Sequence, residues 1–301
     1  MICKEVGMKV LLGKPVADAI YKKAKNRIDL LKEYGYTPRV AMVQIGAAPD
    51  DTYYKQSLIR QCQAIGIQAD DISLPQSTTE EDLIHQIQSF NENPEIHGVM
   101  IFRPLPRQIS NERISAFLDH CKDVDYMNPD NLGKIILGKS RGRLPGTPAA
   151  VMEMLDFYGI PLEGKEVVIV NRSLVVGKPL AMLMLDRSAT VTVCHSKTRN
   201  LSDKMKQADI VVSAVGKAEL FGAESFDSHS IVIDVGINKR PDGSICGDVR
   251  FDEVETIAAG ISPVPRGIGT VTSAVLLRNV VYSCRQLSGL SMVPSFEERW
   301  G

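Results

Sequence analysis

Residues 165–179 read KEVVIVNRSLVVGKP, a short apolar run followed by a polar loop and a proline. An apolar run of this length predicts a β-strand that is buried on both faces, as in a parallel sheet. Pro179 is favoured in the first turn of a helix, so we expect the loop to join a strand to a helix. Because helix N-termini bind anions, the loop is a candidate phosphate site. Only Gly177 of a glycine fingerprint is present, and an ordinary strand-to-helix turn explains the loop equally well.

The segments after this stretch repeat its alternation of helix and strand. We predict a helix at 179–187 and apolar strands at 190–194, 208–216 and 230–236. Short strands with few polar residues indicate a sheet that is covered on both faces. The second half of the chain is therefore predicted to form a Rossmann-type, doubly wound parallel sheet.

The N-terminal half shows the same alternation, which predicts an α/β fold there as well. Parallel strands need crossover connections, usually helices, so a mixed antiparallel sheet is disfavoured. A further helix at about 149–158 should lead into the second half, and we place the boundary between domains 1–148 and 149–269 at its start. The predicted helices lie at 14–32, 52–65 and 79–90, and the predicted strands at 39–45, 72–75 and 97–102.

Composition and charge limit the classes of partner. The chain of 301 residues is 44% hydrophobic and carries 35 basic against 36 acidic side chains. This balance indicates neither nucleic acid nor a membrane surface and favours small molecules. The six cysteines show no metal-ligand spacing and are typical of free thiols in a reducing compartment. No stretch approaches the roughly 18 apolar residues of a membrane span, so we expect a cytoplasmic protein without a metal site.

The residues after the predicted strand at 190–194 indicate which dinucleotide binds. An NAD enzyme usually carries Asp or Glu there for the ribose hydroxyls, whereas this chain has His195, Ser196, Lys197 and Thr198. Lys197, together with Arg172 of the preceding loop, could hold a 2′-phosphate by charge-assisted hydrogen bonds. The pattern favours NADP over NAD, although either cation alone could equally be a solvated surface charge.

Several segments in order resemble the methylenetetrahydrofolate dehydrogenase/cyclohydrolase family, from about residue 11 to about residue 285. The resemblance implies an N-terminal α/β substrate domain and a C-terminal Rossmann domain, with the active site in a cleft between them. It also implies that the C-terminal helix, within 270–301, packs back on the first domain. The segments are VVIVNRSLVVGKPLAMLM, ATVTVCHSKT, ADIVVSAVGKAELF, VIDVGIN, GDVRFDEV and ISPVPRGIGTVTSAVLLRN.

The resemblance also implies roles for individual residues. Asn171 stands where the family's cofactor motif usually begins with glycine, and His195 falls in the cofactor loop. Asp125 would accept hydrogen bonds from the pterin ring of a folate. The implied cofactor positions are Asn171, Arg172, Ser173, Ser196 and Ile237, and the implied folate positions are Tyr54, Asp125, Pro265, Arg266, Gly267, Ile268 and Gly269.

Three departures from the family pattern affect the predicted chemistry. The family segment Y-V-x-x-K is here Tyr54-Lys55-Gln56-Ser57-Leu58, so Leu58 stands at the catalytic lysine position. The family loop V-Q-L-P-L-P is here IFRPLP at 101–106, so Phe102 replaces the glutamine that would partner the lysine. Arg266 stands at a folate-facing glycine. Lys55 is close in sequence but projects roughly 300° around the helix from Leu58.

The family activity is NADP-dependent oxidation of 5,10-methylenetetrahydrofolate to the 5,10-methenyl form, followed by hydrolysis to 10-formyltetrahydrofolate. Hydride transfer needs mainly positioning, whereas the hydrolytic step needs proton transfer that leucine and phenylalanine cannot perform. We therefore predict a dehydrogenase whose cyclohydrolase activity is weak or lost. The alternatives are an NADP-binding paralogue with another substrate and a non-catalytic regulatory protein.

The remaining features concern assembly and the C-terminus. The resemblance implies a homodimer that forms mainly through the Rossmann domain. The histidines outside the cofactor loop lack clustered carboxylates, which disfavours a metal site. The tail SMVPSFEERWG at 291–301 is predicted to be either mobile or docked.

Overall fold

The computed structural model describes residues 10–46, 49–139 and 142–300. The chain divides into two compact units. One unit, here the five-stranded unit, contains the described residues up to Asp18 and Pro145–Val275. The other, here the three-stranded unit, contains Ala19–Leu144 and the residues from Leu276 onward. The predicted domains instead assign all of 1–148 to one domain and begin the next at 149.

The three-stranded unit alternates helices and strands in its first hundred residues. Its strands pair in the order β2-β1-β3 and all run parallel, with Val40 opposite Ala69 and Gly98. Its elements, including the whole of α1, which the division cuts after Asp18, are α1 (Gly13–Glu33), β1 (Arg39–Ile45), α2 (Pro49–Ile65), β2 (Gln68–Leu74), α3 (Glu80–Glu92), β3 (Gly98–Ile101), α4 (Asn111–Phe117) and α5 (Pro129–Ile136).

Strand β1 is buried on both faces of the sheet, and apart from Arg39 and Gln44 its residues are apolar. Successive side chains of a strand point to opposite faces, so the strand supplies two separate clusters. On one face, Met42 packs in a cluster with Leu58, Met100 and Phe102, here called the Met42 cluster. On the other face, the Val43 cluster contains Ala41, Val43, Val99, Ile101 and Ile114.

The five-stranded unit is a Rossmann-type sheet in which every strand pairs in parallel. The strand order is β10-β7-β6-β4-β5, which leaves β5 at one edge. A short antiparallel hairpin, β8–β9, lies outside this sheet. Its elements are α6 (Gly146–Phe157), β4 (Glu166–Val170), α7 (Gly177–Leu185), β5 (Thr190–Cys194), α8 (Leu201–Gln207), β6 (Ile210–Ser213), β7 (Ile231–Asp234), β8 (Asn238–Lys239), β9 (Ile245–Cys246), α9 (Phe251–Val254) and β10 (Gly260–Ile261).

The last two α-helices are α10 (Ile268–Leu287) and α11 (Pro294–Trp300). From Leu276 onward α10 belongs to the three-stranded unit, and its Val280 and Val281 lie in the Met42 cluster. The tail is docked rather than mobile, since Phe296 is fully buried and its ring stacks on Trp300 at 5.3 Å. Arg285 and Glu297 form an ion pair across the turn between the helices. Of the helices described, none is both long and apolar enough to cross a lipid bilayer.

The predicted fold class is confirmed: the protein is α/β, with parallel sheets in both units. The predicted strand at 208–216 is too long, because β6 ends at Ser213 and the next residues form a loop. The prediction also omits several short elements, which carry too few residues to show a hydrophobic period. They are α4, α5, α8, α9, the hairpin β8–β9, β10 and α11.

Candidate functional site

The loop between β4 and α7 is held in shape by Asn171. Its side-chain amide donates a hydrogen bond to the carbonyl oxygen of Ala214 at 2.6 Å, which ties the ends of β4 and β6 together. The same side chain accepts the backbone N–H groups of Ser173 at 2.8 Å and Gly177 at 3.0 Å. A Cβ at Gly177 would lie 2.0 Å from the Asn171 carbonyl oxygen, so only glycine fits there.

The amides at the start of α7 are already paired within this loop. The N–H of Val176 donates to Ser173 Oγ at 3.1 Å, and the N–H of Lys178 donates to the Ser173 carbonyl oxygen at 3.0 Å. Together with the Gly177 bond, these contacts use the N–H groups that would otherwise bind an anion, and Pro179 has none. The N–H groups at positions 176–178 are therefore paired within the loop, and the phosphate role of the other positions of 171–179 stays a prediction.

A cavity of about 430 Å³ opens beside this loop at the carboxyl ends of β4, β5 and β6. This is where ligands bind in open α/β sheets. Arg172 and Lys217 supply positive charge, and none of the described residues that line the cavity carries a carboxylate. The lining suits a dinucleotide with an additional phosphate, because no acidic group would repel it. The polar lining residues are Asn171, Arg172, Ser173, His195, Ser196 and Lys217.

Two residues predicted for the cofactor lie outside this lining. Lys197 is exposed, and its backbone N–H donates to His195 Nδ1 at 3.1 Å. Ile237 is 67% exposed and lies nearer to Gly269, where an added Cβ would be 3.7 Å from its Cδ1. The structure therefore brings Asn171, Arg172, Ser173 and Ser196 together in the lining of one cavity, which does not include Lys197 or Ile237. It adds Lys217, a cation that the sequence analysis missed.

A buried carboxylate that the sequence analysis did not assign fixes the loop after β6. Asp248 is fully buried, and its Oδ2 accepts the hydroxyl of Ser213 at 2.9 Å and the N–H of Val215 at 2.6 Å. Its Oδ1 accepts the N–H of Lys217 at 3.0 Å and the side-chain amide of Asn238 at 3.1 Å. Asp248 thus positions the Val215–Lys217 backbone, which forms one wall of the cavity. The available signal was a polar residue inside the GDVRF segment.

The residues predicted for the hydrolytic reaction lie in the three-stranded unit. Leu58 on α2 is 1% exposed and Phe102 after β3 is 7% exposed, and both belong to the Met42 cluster. The ring of Phe102 meets that of Tyr54 edge to face at 6.0 Å. Tyr54 itself is 38% exposed. The structure therefore places both substituted positions in an apolar core beside a partly exposed tyrosine.

Lys55 does not take the place of the lysine that the family motif has at position 58. Its side chain is 1% exposed, and its Nζ lies 2.6 Å from Asp71 Oδ1 and donates to Ser73 Oγ at 2.7 Å. The bond to Lys55 holds the pKa of Asp71 below its ordinary value. This cation is committed to β2, so it stabilises the fold and is not available for chemistry at Leu58.

Asp125 lies beside a small, charged cavity on the Val43 face of the same sheet. The cavity measures about 10 Å³ and is also lined by Arg103 and Asp123. Burial and the charge of Asp123 raise the pKa of Asp125 to about 7, and Arg103 acts in the opposite direction. Asp123 is fully buried, and its Oδ2 accepts the N–H of Asn128 at 2.8 Å and the side-chain amide of Asn131 at 3.0 Å.

The segment from Pro265 to Gly269 follows β10 and runs into the first turn of α10. Arg266 has a φ of 82°, a conformation that strains any residue except glycine. Its carbonyl oxygen accepts the N–H of Gly13 at 2.8 Å. Pro265, Arg266 and Gly269 are exposed, whereas Gly267 and Ile268 are buried. The substrate role that the resemblance implies for this loop stays a prediction.

One group of metal-ligating side chains occurs among the described residues. Asp119, His120 and Cys121 place their ligand atoms within 4.8 Å of one another, so His120 does lie beside a carboxylate. Burial and Asp119 raise the pKa of the Cys121 thiol, which disfavours the thiolate that a metal requires. We assign no metal to it.

Comparison with known protein families and structures gives consistent matches over most of the chain. A model of the tetrahydrofolate dehydrogenase/cyclohydrolase catalytic domain matches residues 11–125, and a model of the same family's NAD(P)-binding domain matches residues 145–288. The bifunctional protein FolD of Carboxydothermus hydrogenoformans is 45% identical over 282 residues, which cover 93% of this chain and 98% of that protein.

Solved structures agree with these matches. The bifunctional FolD methylenetetrahydrofolate dehydrogenase/cyclohydrolase of Campylobacter jejuni has a TM-score of 0.91 and 37% identity, covering 93% of this chain and 99% of that one. The Trypanosoma brucei methylenetetrahydrofolate dehydrogenase-cyclohydrolase, solved with NADP and an inhibitor, has a TM-score of 0.88 and 32% identity. The match covers 94% of this chain and 99% of the trypanosomal chain.

Proposed function

This chain belongs to the tetrahydrofolate dehydrogenase/cyclohydrolase family, and on that premise we propose that it retains the family's oxidation and has lost most of its hydrolysis. It is an NADP-dependent enzyme of one-carbon metabolism that oxidises 5,10-methylenetetrahydrofolate to 5,10-methenyltetrahydrofolate. The weak or absent step is the opening of the methenyl form to 10-formyltetrahydrofolate.

The oxidation needs little acid–base catalysis from the protein's side chains. NADP, when bound, accepts a hydride from the one-carbon bridge of the substrate. The substrate's own nitrogens stabilise the positive charge that develops, so the side chains contribute chiefly by positioning. We assign Arg172, Ser173, Ser196 and Lys217 to the phosphates and ribose of the dinucleotide, because they line one cavity without a carboxylate. We assign Asp125 and Tyr54 to the folate.

One observation carries the proposed loss of hydrolysis: Leu58 and Phe102 are both buried in the Met42 cluster. Hydrolysis of the methenyl group needs a proton taken from the attacking water and a proton given to the leaving nitrogen. Neither side chain has a donor or acceptor, and Lys55, the nearest lysine in sequence, is paired with Asp71. General acid–base help is worth about 10²–10⁴-fold, and we expect a loss of that order.

Two absorbance assays on the purified protein test the proposal. The first follows NADPH formation from methylenetetrahydrofolate, and the second follows the decay of pre-formed methenyltetrahydrofolate with spontaneous hydrolysis subtracted. We expect NADPH formation and a methenyl decay close to background. Rapid decay would contradict the assignment of Leu58 and Phe102. No NADPH formation and no methenyl decay above background, with retained NADP binding, would instead support a paralogue with another substrate or a regulatory role.

We also infer that the protein is a homodimer in the cytoplasm. Strand β5 is an edge strand with Thr190, Thr192 and Val193 exposed, and the nearby Leu185 at the end of α7 is 56% exposed. An exposed strand edge of this kind, with unpaired backbone N–H and C=O groups, supports pairing with a second copy. Five cysteines carry free thiols, which supports a reducing compartment. Light scattering after size-exclusion chromatography tests the dimer, since a mass near 33.1 kDa would contradict it.

A further inference from the structure

We propose that Arg103 is a positioning residue for the dehydrogenase: its half-buried guanidinium shares a small charged cavity with the Asp125 carboxyl and favours the carboxylate, the form that accepts hydrogen bonds from the folate. The proposal rests on the proposed function for the identity of the ligand. The link between the two side chains can be measured without any ligand. In the family motif V-Q-L-P-L-P this position is leucine, so the arginine is a feature of this chain.

Arg103 and Phe102 point to opposite faces of the three-stranded sheet. Val99, Ile101 and Arg103 line one cavity together, as alternate residues of an extended segment do. Phe102 continues the pairing of β3, its N–H donating to the Val43 carbonyl oxygen at 2.9 Å, and its ring lies in the Met42 cluster. Arg103 is therefore not a substitute for the lysine that the motif lost at Leu58.

The segment that carries Asp125 runs alongside β3 on this face. The N–H of Val99 donates to the Lys122 carbonyl oxygen at 2.7 Å, and Val99 forms a parallel bridge with Asp123. This pairing brings Asp123 and Asp125 to the cavity that Arg103 enters. Two carboxyl groups and one guanidinium therefore share a space of about 10 Å³, the size of about one water.

Two polar atoms in this group lack hydrogen-bond partners within the described part of the chain: Arg103 Nε and Asp123 Oδ1. Arg103 Nη2 donates to Ser115 Oγ at 3.1 Å, which anchors one end of the guanidinium on α4. Arg103 is half-buried, and a guanidinium that is partly removed from water is stabilised by nearby opposite charge. It forms no ion pair with Asp123 or Asp125 among the described residues, so its charge acts on both carboxyl groups at longer range, across the cavity that they share.

The charges around Asp125 oppose one another. Burial and Asp123 favour the neutral carboxyl and bring its pKa to about 7, while Arg103 favours the carboxylate. The residues of α4 that line the cavity, Ile114 and Ser115, carry no charge. Among the described residues that line the cavity, Arg103 is therefore the cation that faces Asp125. Without that cation a larger share of Asp125 would be protonated near neutral pH. A protonated carboxyl loses acceptor capacity, which weakens its bonds to the N–H donors of a pterin.

The experiment compares Arg103→Leu with Arg103→Lys, each with and without Asp125→Asn. In ligand-free enzyme labelled with ¹³C at the aspartate carboxyl carbons, the Asp125 signal, identified by its loss in Asp125→Asn, is titrated by NMR. We expect the midpoint to rise by about one unit in Arg103→Leu and to stay near the wild-type value in Arg103→Lys. In parallel, KM for methylenetetrahydrofolate should rise about fivefold at pH 7 in Arg103→Leu, because the ionised fraction of Asp125 falls from about one half to about one tenth, with kcat much less affected. Substituting Arg103 in the Asp125→Asn background should then change KM little.

Three outcomes overturn the inference. An unchanged Asp125 midpoint in Arg103→Leu shows that the guanidinium does not act on this carboxyl. An equal fall in kcat and an equal rise in KM in Arg103→Leu and Arg103→Lys, together with poor NADP binding, indicate a purely structural residue. A rise in KM of about fivefold that persists in the Asp125→Asn background places the effect elsewhere. If the wild-type enzyme does not oxidise the folate, the proposed function fails, whereas the NMR titration still decides the link between Arg103 and Asp125.

Discussion

Asp248 Oδ2 accepts the backbone N–H of Val215 at 2.6 Å, which joins the GDVRF segment to the wall of the cofactor cavity. The bond is one of four that this carboxylate accepts, and all four donors belong to the five-stranded unit. A carboxylate suits this environment because it can only accept, whereas an amide would turn its NH₂ group toward other donors.

Asp248→Asn should therefore weaken NADP binding and lower the free energy of unfolding. The variant leaves buried N–H groups facing an amide, which costs about 1–3 kcal/mol. We expect the dissociation constant for NADP, measured by calorimetry, to rise about tenfold as the Val215–Lys217 loop loosens. Asp242→Asn, in the exposed turn between β8 and β9, is the matched control. Equal affinities of the two variants would contradict the role of Asp248.

Arg172→Ala should reduce the preference for NADP over NAD. A charge-assisted hydrogen bond to a phosphate is worth about 1.5–3 kcal/mol, or about 10–100-fold in affinity. We expect KM for NADP to rise by that factor and KM for NAD to change little, because NAD lacks the 2′-phosphate. Lys197→Ala is the comparison, since Lys197 lies outside the cavity lining. An equal rise in both KM values on Arg172→Ala would show that this residue binds a part common to both dinucleotides.

The double variant Leu58→Lys/Phe102→Gln should increase methenyltetrahydrofolate hydrolysis. It restores a proton-transfer pair at the positions that the family motif uses, and a gain of about 10²-fold is expected in the methenyl decay assay. Leu58→Met/Phe102→Leu keeps both positions apolar and should leave the decay at background. A double variant that folds and produces NADPH but shows no faster decay would locate the hydrolytic deficit elsewhere.

The raised pKa of Asp125 makes stability depend on pH. Its folded value of about 7 exceeds its unfolded value of 3.8, so between these values the folded protein binds more protons than the unfolded chain. Stability from this group is therefore present below pH 4 and is lost as the pH rises through 7. Urea denaturation of wild type and Asp125→Asn should show their difference in unfolding free energy falling by on the order of 3 kcal/mol over this range.

The difference between these two proteins is required because Asp234, also buried, has a pKa raised to about 7 and contributes the same sign of pH dependence to both. A difference that is constant from pH 4 to pH 7 would show that Asp125 ionises normally in the folded protein.

Arg266→Gly should stabilise the protein, whereas Arg266→Ala should not. The φ of 82° costs a non-glycine residue about 1–3 kcal/mol, and the alanine retains this strain. After the larger unfolded-state entropy of glycine is subtracted, the glycine variant should exceed the alanine variant by about 1 kcal/mol in unfolding free energy. Equal stability of the two variants would mean that the loop relaxes around Arg266.

The strands and long helices could be predicted because their apolar periods extend over many residues. Strand β1 was predicted at its observed bounds, 39–45, and the helix at 14–32 differs from α1 by one residue at each end. Helices such as α4 and α8, with seven residues each, are shorter than two helical turns and carry no readable period.

Whether a site residue or contact could be predicted depended on the kind of sequence signal that supported it. Arg172 and Ser196 follow strand ends, and parallel strand ends share one edge of a sheet, so their meeting at one cavity follows from topology. The pairing of the Val176 and Gly177 N–H groups by Asn171 and Ser173 was not predictable, because loop hydrogen bonds depend on backbone angles. The charge link from Arg103 to Asp125 joins residues from separate segments and has no local sequence signature.

The shared burial of Leu58 and Phe102 also limits which substitutions the two positions tolerate. A lysine at 58 alone would bury a charge without its glutamine, and a glutamine at 102 alone would bury an amide without its lysine. Each single substitution is therefore unfavourable, and only the two together can compensate, so their effects on stability should not be additive. The two positions can gain a proton-transfer pair only through one concerted change, because each single variant buries a polar group without its partner.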